Sequence, residues 1–292
     1  MPDGWLTMDD LPERFRMLPG SLRDKTRATT LGSGVPALLI HPTWESPAPW
    51  VFWMHGRTVS KELDPGRYLR WVRAGIGCCA IDLPGHGERY DAERTHPRAS
   101  PSVIEQATGE IDGVIEDVLH GDWGPVFDPD RIGIGGMSLG GMVTLRRLCE
   151  PHPFKAAVLE STSGDLGRLY SGEDLPDDQK WPVDHAPEVT ARIDPSEHLD
   201  GFRPIPVLAM HSEADVVVPW NTQRGFLDRL AARYEQQGAD AGLIQRLTWP
   251  QTGAPSEHAG FGKVANDAKT AHTEFFERTL LNTAGADGGA DR

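Results

Sequence analysis

The sequence predicts an α/β protein in which a mostly parallel sheet carries helices on both faces. The first observation is a series of short, continuous apolar runs, which is typical of strands buried on both sides. The second is that segments with helical spacing of apolar residues separate these runs. The alternation of buried strands and amphipathic helices indicates a layered α/β architecture.

The elements follow one another along most of the chain. The strand-like runs occur in the order TRATTL, VPALLIHPT, WVFWMHG (50–56), IGCCAIDLPGHG (76–87), DPDRIGIGGMS, FKAAVLEST, IPVLAMHSEAD and AGLIQRLTWP. The first two runs are predicted to form an opening hairpin. Helices are predicted at 65–74, 103–119, LGGMVTLRRLC, 221–236 and 264–281.

One domain spanning residues 1–282 is expected. Residues 1–25 form an acidic, proline-containing leader that we expect to lie on the surface. Residues 163–203 are acidic and rich in proline, without a long periodic element, and are predicted to be a small insertion over the sheet. The small polar tail at 283–292 is predicted to be disordered.

Composition excludes several classes of function. The 292 residues carry a formal net charge of −14 at pH 7, and a surface of this sign repels nucleic acids and anionic membranes. The first residues, MPDGWLTMDD, are acidic and lack the apolar core of an export signal. No stretch approaches the roughly 18 apolar residues of a membrane helix. A cytoplasmic protein is expected.

Cysteine usage agrees with a reducing compartment. The chain has three cysteines, Cys78, Cys79 and Cys149. An odd number with two adjacent residues is a poor framework for disulfides. Cys78 and Cys79 lie in an apolar run, so we expect them to be small core residues.

The stretch IGIGGMSLGG, residues 132–141, allows two interpretations. A dinucleotide-binding loop needs G-x-G-x-x-G in the first βαβ unit, but Ser138 stands where the third glycine belongs and the stretch lies in mid-chain. A phosphate-binding loop would need a lysine, which is missing here. Residues 136–140 instead read G-x-S-x-G between a predicted strand and a predicted helix.

The G-x-S-x-G interpretation assigns a role to each residue of the turn. Ser138 is predicted to adopt a strained conformation at its tip, and Gly136 and Gly140 leave room where the backbone approaches closely. The helix N-terminus that follows favours an oxyanion. Met137 and Leu139 flank the serine, and Met137 is expected to contact the substrate.

A serine nucleophile needs a base and an orienting acid, predicted downstream in the order acid, then histidine. Asp215 follows the strand in VLAMHSEAD, and His258 lies in QTGAPSEHAGF after the last strand. Both therefore lie at carboxyl ends of strands, where the serine must also lie. Two alternatives remain open for the acid: Glu213 is a neighbouring carboxylate, and Asp215 could instead cap the following helix.

A second oxyanion donor is expected in the loop after WVFWMHG. Gly56 lets that loop fold back, so the backbone N–H of Arg57 is predicted to join that of Leu139 in an oxyanion hole. The Arg57 side chain has two open interpretations, a surface charge or a contact to substrate or to an acidic loop.

The other histidines have structural interpretations. His211 and His86 are predicted to be hydrogen-bonded structural residues. The remaining ones are expected to be solvated or to cap turns: His41, His96, His120, His152, His185, His198 and His272. No H-E-x-x-H or C-x-x-C pattern occurs, so no metal site is expected.

Five motifs, MHGRT, DLPGHGER, GMSLGG, HSEADVVVP and EHAGF, together resemble the α/β-hydrolase superfamily. Within it the chain most resembles the dienelactone-hydrolase and prolyl-oligopeptidase-like branch of single-domain serine esterases, over roughly residues 35–280. The resemblance implies the α/β-hydrolase fold with an eight-stranded, mostly parallel sheet. It also implies Ser138, Asp215 and His258 as a catalytic triad.

The resulting hypothesis is hydrolysis of carboxylic esters with small to medium acyl chains. The 163–203 insertion is expected to cover the pocket, with Trp181 contacting substrate. The expected partner is a small-molecule ester, and no cofactor is required. One alternative is a peptidase for short peptides, which would cleave aminoacyl amides. The other is a non-catalytic binding protein of the same fold, disfavoured because no triad residue is lost.

Overall fold

The computed structural model describes residues 17–281, which contain the predicted opening hairpin. Its strands are β1 (Thr26–Thr30) and β2 (Pro36–Ile40), and they pair antiparallel. Most of the predicted leader and the whole predicted tail at 283–292 lie outside the described residues. The described end of the leader includes a short helix, α1 (Gly20–Arg23), whose Leu22 is buried.

The described residues form a single eight-stranded sheet. The other strands are β3 (Ala48–Met54), β4 (Gly77–Ile81), β5 (Phe127–Met137), β6 (Ala156–Glu160), β7 (Val207–Ser212) and β8 (Ile244–Trp249). Their order across the sheet is β1-β2-β4-β3-β5-β6-β7-β8. The pairs β1–β2 and β2–β4 are antiparallel and all other pairs are parallel. The predicted mostly parallel sheet is therefore confirmed.

Helices connect the parallel strands. They are α2 (Pro65–Arg73), α3 (Ala92–Thr95), α4 (Ser100–His120), α5 (Leu139–Leu148), α6 (Leu166–Ser171), α7 (Pro187–Ile193), α8 (Trp220–Gln236) and α9 (Ala265–Phe276). The helix predicted at 264–281 consists of α9 followed by a π-helical turn, Glu277–Leu281. Residues 163–203 contain α6, α7 and short 3₁₀ turns.

The core has two layers, one on each face of the sheet. Alternation along β3 sends Phe52 to one layer and Trp53 to the other. Helices α4, α5 and α8 bury their apolar residues in the first layer, whereas α2 and α9 cover the second. Cys78 and Cys79 are buried on opposite faces with free thiols, which confirms them as core residues.

A buried ion pair ties α2 to the carboxyl end of β6. The Arg67 guanidinium donates to Glu160 Oε2 at 2.6 Å, and its central carbon lies 4.4 Å from the ring centroid of Trp53. His272 from α9 lies beside this pair, with Nδ1 3.4 Å from Glu160 Oε1. The expectation that His272 is solvated or caps a turn is wrong, because the aromatic rings of the second layer enclose it completely.

Replacement of Glu160 by alanine should lower the free energy of unfolding by about 3–5 kcal/mol, because Arg67 stays buried and loses its closest charged partner. Urea denaturation of wild type and variant measures the effect. The control is Glu150→Ala: Glu150 is paired with Arg146 at 2.9 Å but is 47% exposed, and its loss should cost at most about 1 kcal/mol. Equal effects of the two substitutions would contradict this interpretation.

Candidate active site

Ser138 forms the tip of the turn between β5 and α5. Its backbone is strained, with φ 50° and ψ −115°. The conformation is held on one side by the Ser138 N–H, which donates to the carbonyl oxygen of Glu160 at 2.8 Å. On the other side α5 begins at Leu139, so the first free N–H groups of that helix lie directly beside the serine.

The glycines around this serine are required by close backbone contacts. A Cβ on Gly136 would lie 2.3 Å from the carbonyl carbon of Gly140, and one on Gly140 would lie 2.4 Å from the carbonyl oxygen of Met54. Both distances are too short for any side chain. The turn can therefore form only with glycine at these two positions.

Three side chains form a hydrogen-bonded chain at this edge of the sheet. Ser138 Oγ lies 2.9 Å from His258 Nε2, and His258 Nδ1 lies 2.8 Å from Asp215 Oδ2. The Asp215 carboxylate is almost fully buried, whereas His258 is partly exposed. Burial by itself raises the pKa of Asp215, but the adjacent His258 and His211 outweigh this and lower it. Asp215 is therefore held as a carboxylate.

Asp215 also organises its own loop. Its Oδ1 accepts the backbone N–H groups of Val217 and Val218, both at 2.9 Å, so it shapes the turn before α8. His211 Nε2 donates to the carbonyl oxygen of Val218 at 2.8 Å and lies 3.4 Å from Asp215 Oδ2. The rival acid, Glu213, accepts from Thr248 at 2.7 Å and is exposed. The carboxylate that meets His258 is thus that of Asp215.

The loop that carries His258 is fixed by its neighbour Glu257. The Glu257 carboxylate accepts the hydroxyls of Ser212 (2.7 Å) and Thr252 (2.8 Å) and the backbone N–H groups of Thr252 (2.6 Å) and Gly253 (2.8 Å). Ser256 and Glu257 both have φ of 52°. Burial opposes ionisation, but these hydrogen bonds together outweigh it and lower the pKa of Glu257 to about 2. Side-chain bonds therefore hold two successive strained residues in place.

The loop after β3 lies close to the serine. A Cβ on Gly56 would lie 3.5 Å from Ser138 Cβ. His55 accepts the Leu83 N–H at Nε2 (3.1 Å), so its Nδ1 carries the proton and donates to the Gly56 carbonyl at 2.6 Å. In a trans peptide the carbonyl and the following N–H point in opposite directions. The Arg57 N–H therefore points away from the His55 ring.

The Arg57 side chain is buried, with 6% of its surface exposed, so its interpretation as a surface charge is wrong. Its guanidinium donates to the carbonyl oxygens of Thr95 and His96, both at 3.2 Å, and to the hydroxyl of Ser100. Trp181, from the insertion, lies with its ring centroid 5.8 Å from the Arg57 guanidinium carbon. Met137 precedes the serine, and its sulfur lies 3.8 Å from where a Cβ on Gly56 would be. Met137 therefore lies beside Gly56, and Trp181 lies beside the Arg57 side chain.

The described residues hold neither a metal-binding cluster nor a membrane-spanning helix. Among residues 17–281, no group of three or more His, Cys, Asp or Glu side chains is arranged to hold a metal ion. Over the same residues, no helix combines the length and apolar character needed to cross a membrane.

The sequence interpretation did not assign two residues of this site. His211 was predicted only as a structural residue, although its position four residues before Asp215 is a usable signal. Glu257 was not singled out, because nothing in its spacing predicts that it will accept hydrogen bonds from three other residues. His211 lies beside Asp215 and Glu257 holds the loop that carries His258, but neither belongs to the hydrogen-bonded chain.

Comparison with known proteins identifies the family. A model of the prolyl oligopeptidase family matches residues 119–281, more than half of the chain. The provisionally named esterase YitV of Bacillus subtilis is 28% identical over 70% of this chain and 84% of its own length. The esterase YjfP of Escherichia coli is 24% identical over 63% of this chain and 76% of its own length.

Solved structures share the fold. TT1662 from Thermus thermophilus superposes with a TM-score of 0.63 at 23% identity, covering 87% of this chain and 97% of its own. The acylaminoacyl peptidase of Pyrococcus horikoshii gives a TM-score of 0.66 at 20% identity, but this chain corresponds to only 41% of it. The protein is therefore an α/β-hydrolase that belongs to the prolyl oligopeptidase family of serine hydrolases.

Proposed function

We propose that this protein hydrolyses carboxylic esters with small to medium acyl chains through an acyl-serine intermediate. The observation that carries the proposal is the continuous chain of hydrogen bonds from Ser138 through His258 to Asp215, at 2.9 and 2.8 Å. This is the contact pattern that activates a serine hydroxyl. The substrate is a small-molecule ester, and these residues supply the chemistry without a cofactor.

In the first half of the reaction, Ser138 Oγ attacks the ester carbonyl carbon while His258 Nε2 takes its proton. The carbonyl π electrons move to oxygen, and the backbone N–H groups of Leu139 and Arg57 stabilise the resulting oxyanion by about 3 kcal/mol each. The electrons return, the bond from carbon to the alkoxy oxygen breaks, and His258 gives its proton to the leaving alcohol. The product of this half is acyl-Ser138.

In the second half, water replaces the alcohol. His258 removes a proton from water as the water oxygen attacks the acyl carbon, and the same N–H groups hold the second oxyanion. Collapse breaks the bond from carbon to Ser138 Oγ, which recovers a proton from His258 as the carboxylic acid leaves. Asp215 accepts a hydrogen bond from the Nδ1–H of His258 throughout. This contact keeps the Nε2 lone pair directed at Ser138 and stabilises the imidazolium.

The preference for esters over peptides is supported by the names of the relatives that match most of their own length, YitV and YjfP. The second candidate, a peptidase for short peptides, is favoured by the family model and by the likeness to an acylaminoacyl peptidase. The cytoplasmic location also stays a prediction, supported by three free, buried cysteines.

Ser138→Ala should reduce kcat/KM for p-nitrophenyl butyrate by about 10⁵- to 10⁶-fold, because the nucleophile is lost. Ser163→Ala is the matched control: Ser163 is also buried, but its hydroxyl bonds to the Asp165 backbone, and its loss should leave the rate nearly unchanged. The wild type should show little activity on an aminoacyl p-nitroanilide. Efficient anilide cleavage would favour the peptidase, and ester turnover that survives Ser138→Ala would exclude Ser138 as the nucleophile.

Glu257→Gln should lower Tm at pH 7 and lower kcat/KM by on the order of 10- to 100-fold, because His258 is no longer held in place. The pKa of Glu257 is about 2 when folded and ordinarily 4.5. Its stabilisation is therefore complete above about pH 4.5 and is lost as the pH falls through about 2. The Tm difference from wild type should be constant from pH 5 to 8 and narrow at lower pH.

The control for this experiment is Glu213→Gln, which removes an exposed carboxylate on the neighbouring loop with one hydrogen bond, from Thr248. Its Tm and kcat/KM should stay close to those of wild type. A Tm difference for Glu257→Gln that persists unchanged to pH 3 would show that the charge of Glu257 is not what holds the loop.

A further inference from the structure

His55 is an almost completely buried imidazole at the active-site end of β3, and the proposed reaction does not use it. Two backbone groups contact its ring. The Leu83 N–H donates to Nε2 at 3.1 Å, and Nδ1 donates to the Gly56 carbonyl oxygen at 2.6 Å. The ring therefore joins the loop after β3 to the loop after β4.

The contact with Gly56 acts on the peptide that carries a proposed oxyanion donor. The Gly56 carbonyl and the Arg57 N–H belong to one planar trans peptide and point in opposite directions. Because His55 holds the carbonyl, the N–H is directed away from the ring. A Cβ on Gly56 would lie 3.5 Å from Ser138 Cβ. The contact thus fixes the rotation of a peptide that lies next to the nucleophile.

The same contact also strengthens the donor. Hydrogen bonds in a chain polarise one another, so a carbonyl that accepts a hydrogen bond makes the N–H of its own peptide a better donor. The chain here runs from His55 Nδ1–H through the 56–57 peptide to the oxyanion of the proposed reaction. A donor aligned in this way before the reaction needs no reorganisation when charge develops.

His55 can make both contacts only as a neutral imidazole. Nε2 needs its lone pair to accept from Leu83, so the proton lies on Nδ1. Burial lowers the pKa of His55 and outweighs the opposing effect of Asp82, whose Oδ1 lies 3.8 Å from Nε2. The ring therefore stays neutral and keeps this tautomer.

The DLPGHGER segment also holds the far end of the loop after β3. The Asp82 carboxylate accepts the backbone N–H of Lys61 at 2.9 Å and its ammonium group at 2.8 Å, and both side chains are buried. Residues 55–61 are therefore attached at both ends to residues 82–83. Arg57 lies between the two attachments.

We propose that His55 is a positioning residue for the oxyanion hole, because its Nδ1–H contact fixes and polarises the peptide whose N–H, on Arg57, receives the oxyanion. The inference rests on the proposed ester hydrolysis at Ser138. In this role His55 neither touches the substrate nor exchanges a proton, and it acts only through the peptide. Its loss should therefore slow the chemical steps and leave the binding of substrate nearly unchanged.

His41 provides a matched control. It is also fully buried and also bridges two backbone segments: Nε2 donates to the Val126 carbonyl at 2.9 Å, and Nδ1 accepts the Trp44 N–H at 2.8 Å. It follows β2, which runs antiparallel to β4, so it lies at the opposite edge of the sheet. The same substitution at His41 should therefore affect stability alone.

Two substitutions separate the contacts of the ring. The amide nitrogen of asparagine lies as many bonds from Cβ as Nδ1 does, so His55→Asn can still donate to Gly56. The amide of glutamine reaches as far as Nε2, so His55→Gln can still accept from Leu83 but loses the donor beside Gly56. With p-nitrophenyl butyrate, His55→Gln should lower kcat by about 10- to 100-fold and change KM less than about twofold. His55→Asn should keep kcat at least about fivefold above that of His55→Gln.

A transition-state analogue gives a readout that a purely structural role would not move. Propyl trifluoromethyl ketone has the acyl chain of the ester, and Ser138 Oγ adds to its carbonyl carbon as His258 takes the hydroxyl proton, which leaves an oxyanion. The inhibition constant should rise in His55→Gln by about the same factor as kcat/KM falls. His41→Gln should change Tm but neither kcat nor the inhibition constant.

A second measurement needs no variant and applies if His55→Gln does not fold. In wild type with ¹⁵N-labelled histidine, the Nδ1–H proton signal of His55 is assigned by the proximity of its ring to Leu83. It should move downfield when the ketone adduct forms, because the oxyanion joins the same chain of hydrogen bonds. The Nε2–H signal of His41 should stay in place. A His55 signal that does not move would contradict the inference.

Failure of this inference is distinguishable from failure of the proposed function. If wild type hydrolyses esters but His55→Gln keeps the wild-type kcat and inhibition constant, the positioning role is wrong and the esterase stands. The same holds if His55→Asn falls below His55→Gln in kcat. If no ester is hydrolysed, the proposed function is wrong, and the His55 signal in the ketone adduct still decides the inference. Absence of an adduct overturns both.

Discussion

The positive φ of Ser138 is the constraint on which the rest of the structure depends. A non-glycine residue in such a conformation costs on the order of 1–3 kcal/mol, so the surroundings must hold it there. The Glu160 carbonyl does so by accepting the Ser138 N–H, and Gly136 and Gly140 allow the backbone to close around the turn. In this conformation the Ser138 hydroxyl projects from the end of β5, and the N-terminus of α5 lies beside it.

The parallel sheet assembles everything else around that hydroxyl. Because β3, β5, β7 and β8 run in the same direction, the loops after them meet at one edge and supply Arg57, Ser138, Asp215 and His258. Strand β6 contributes differently, since Glu160 holds the serine turn with its backbone and α2 with its carboxylate. The same residue therefore links the geometry of the site to the stability of the fold.

The sequence predicted what depends on periodicity and on short motifs. The apolar runs predicted the strands. The G-x-S-x-G motif predicted the turn at Ser138, because its glycines and the elements on either side of it are adjacent in the sequence. The surroundings of Arg57 could not be predicted, since they come from the segment before α4 and from an insertion without periodicity. The burial of His272 could not be predicted either, because its neighbours Trp53 and Trp71 lie about 200 residues earlier in the chain.

The central claim is that Ser138 is the nucleophile and that His258 activates it. Labelling with a fluorophosphonate followed by peptide mass spectrometry tests it most directly, because the phosphonate traps the attacking oxygen as a stable adduct. The adduct should lie on the peptide that contains Ser138, and His258→Ala should slow its formation by several orders of magnitude. An adduct on another residue, or labelling at an unchanged rate in His258→Ala, would contradict the account.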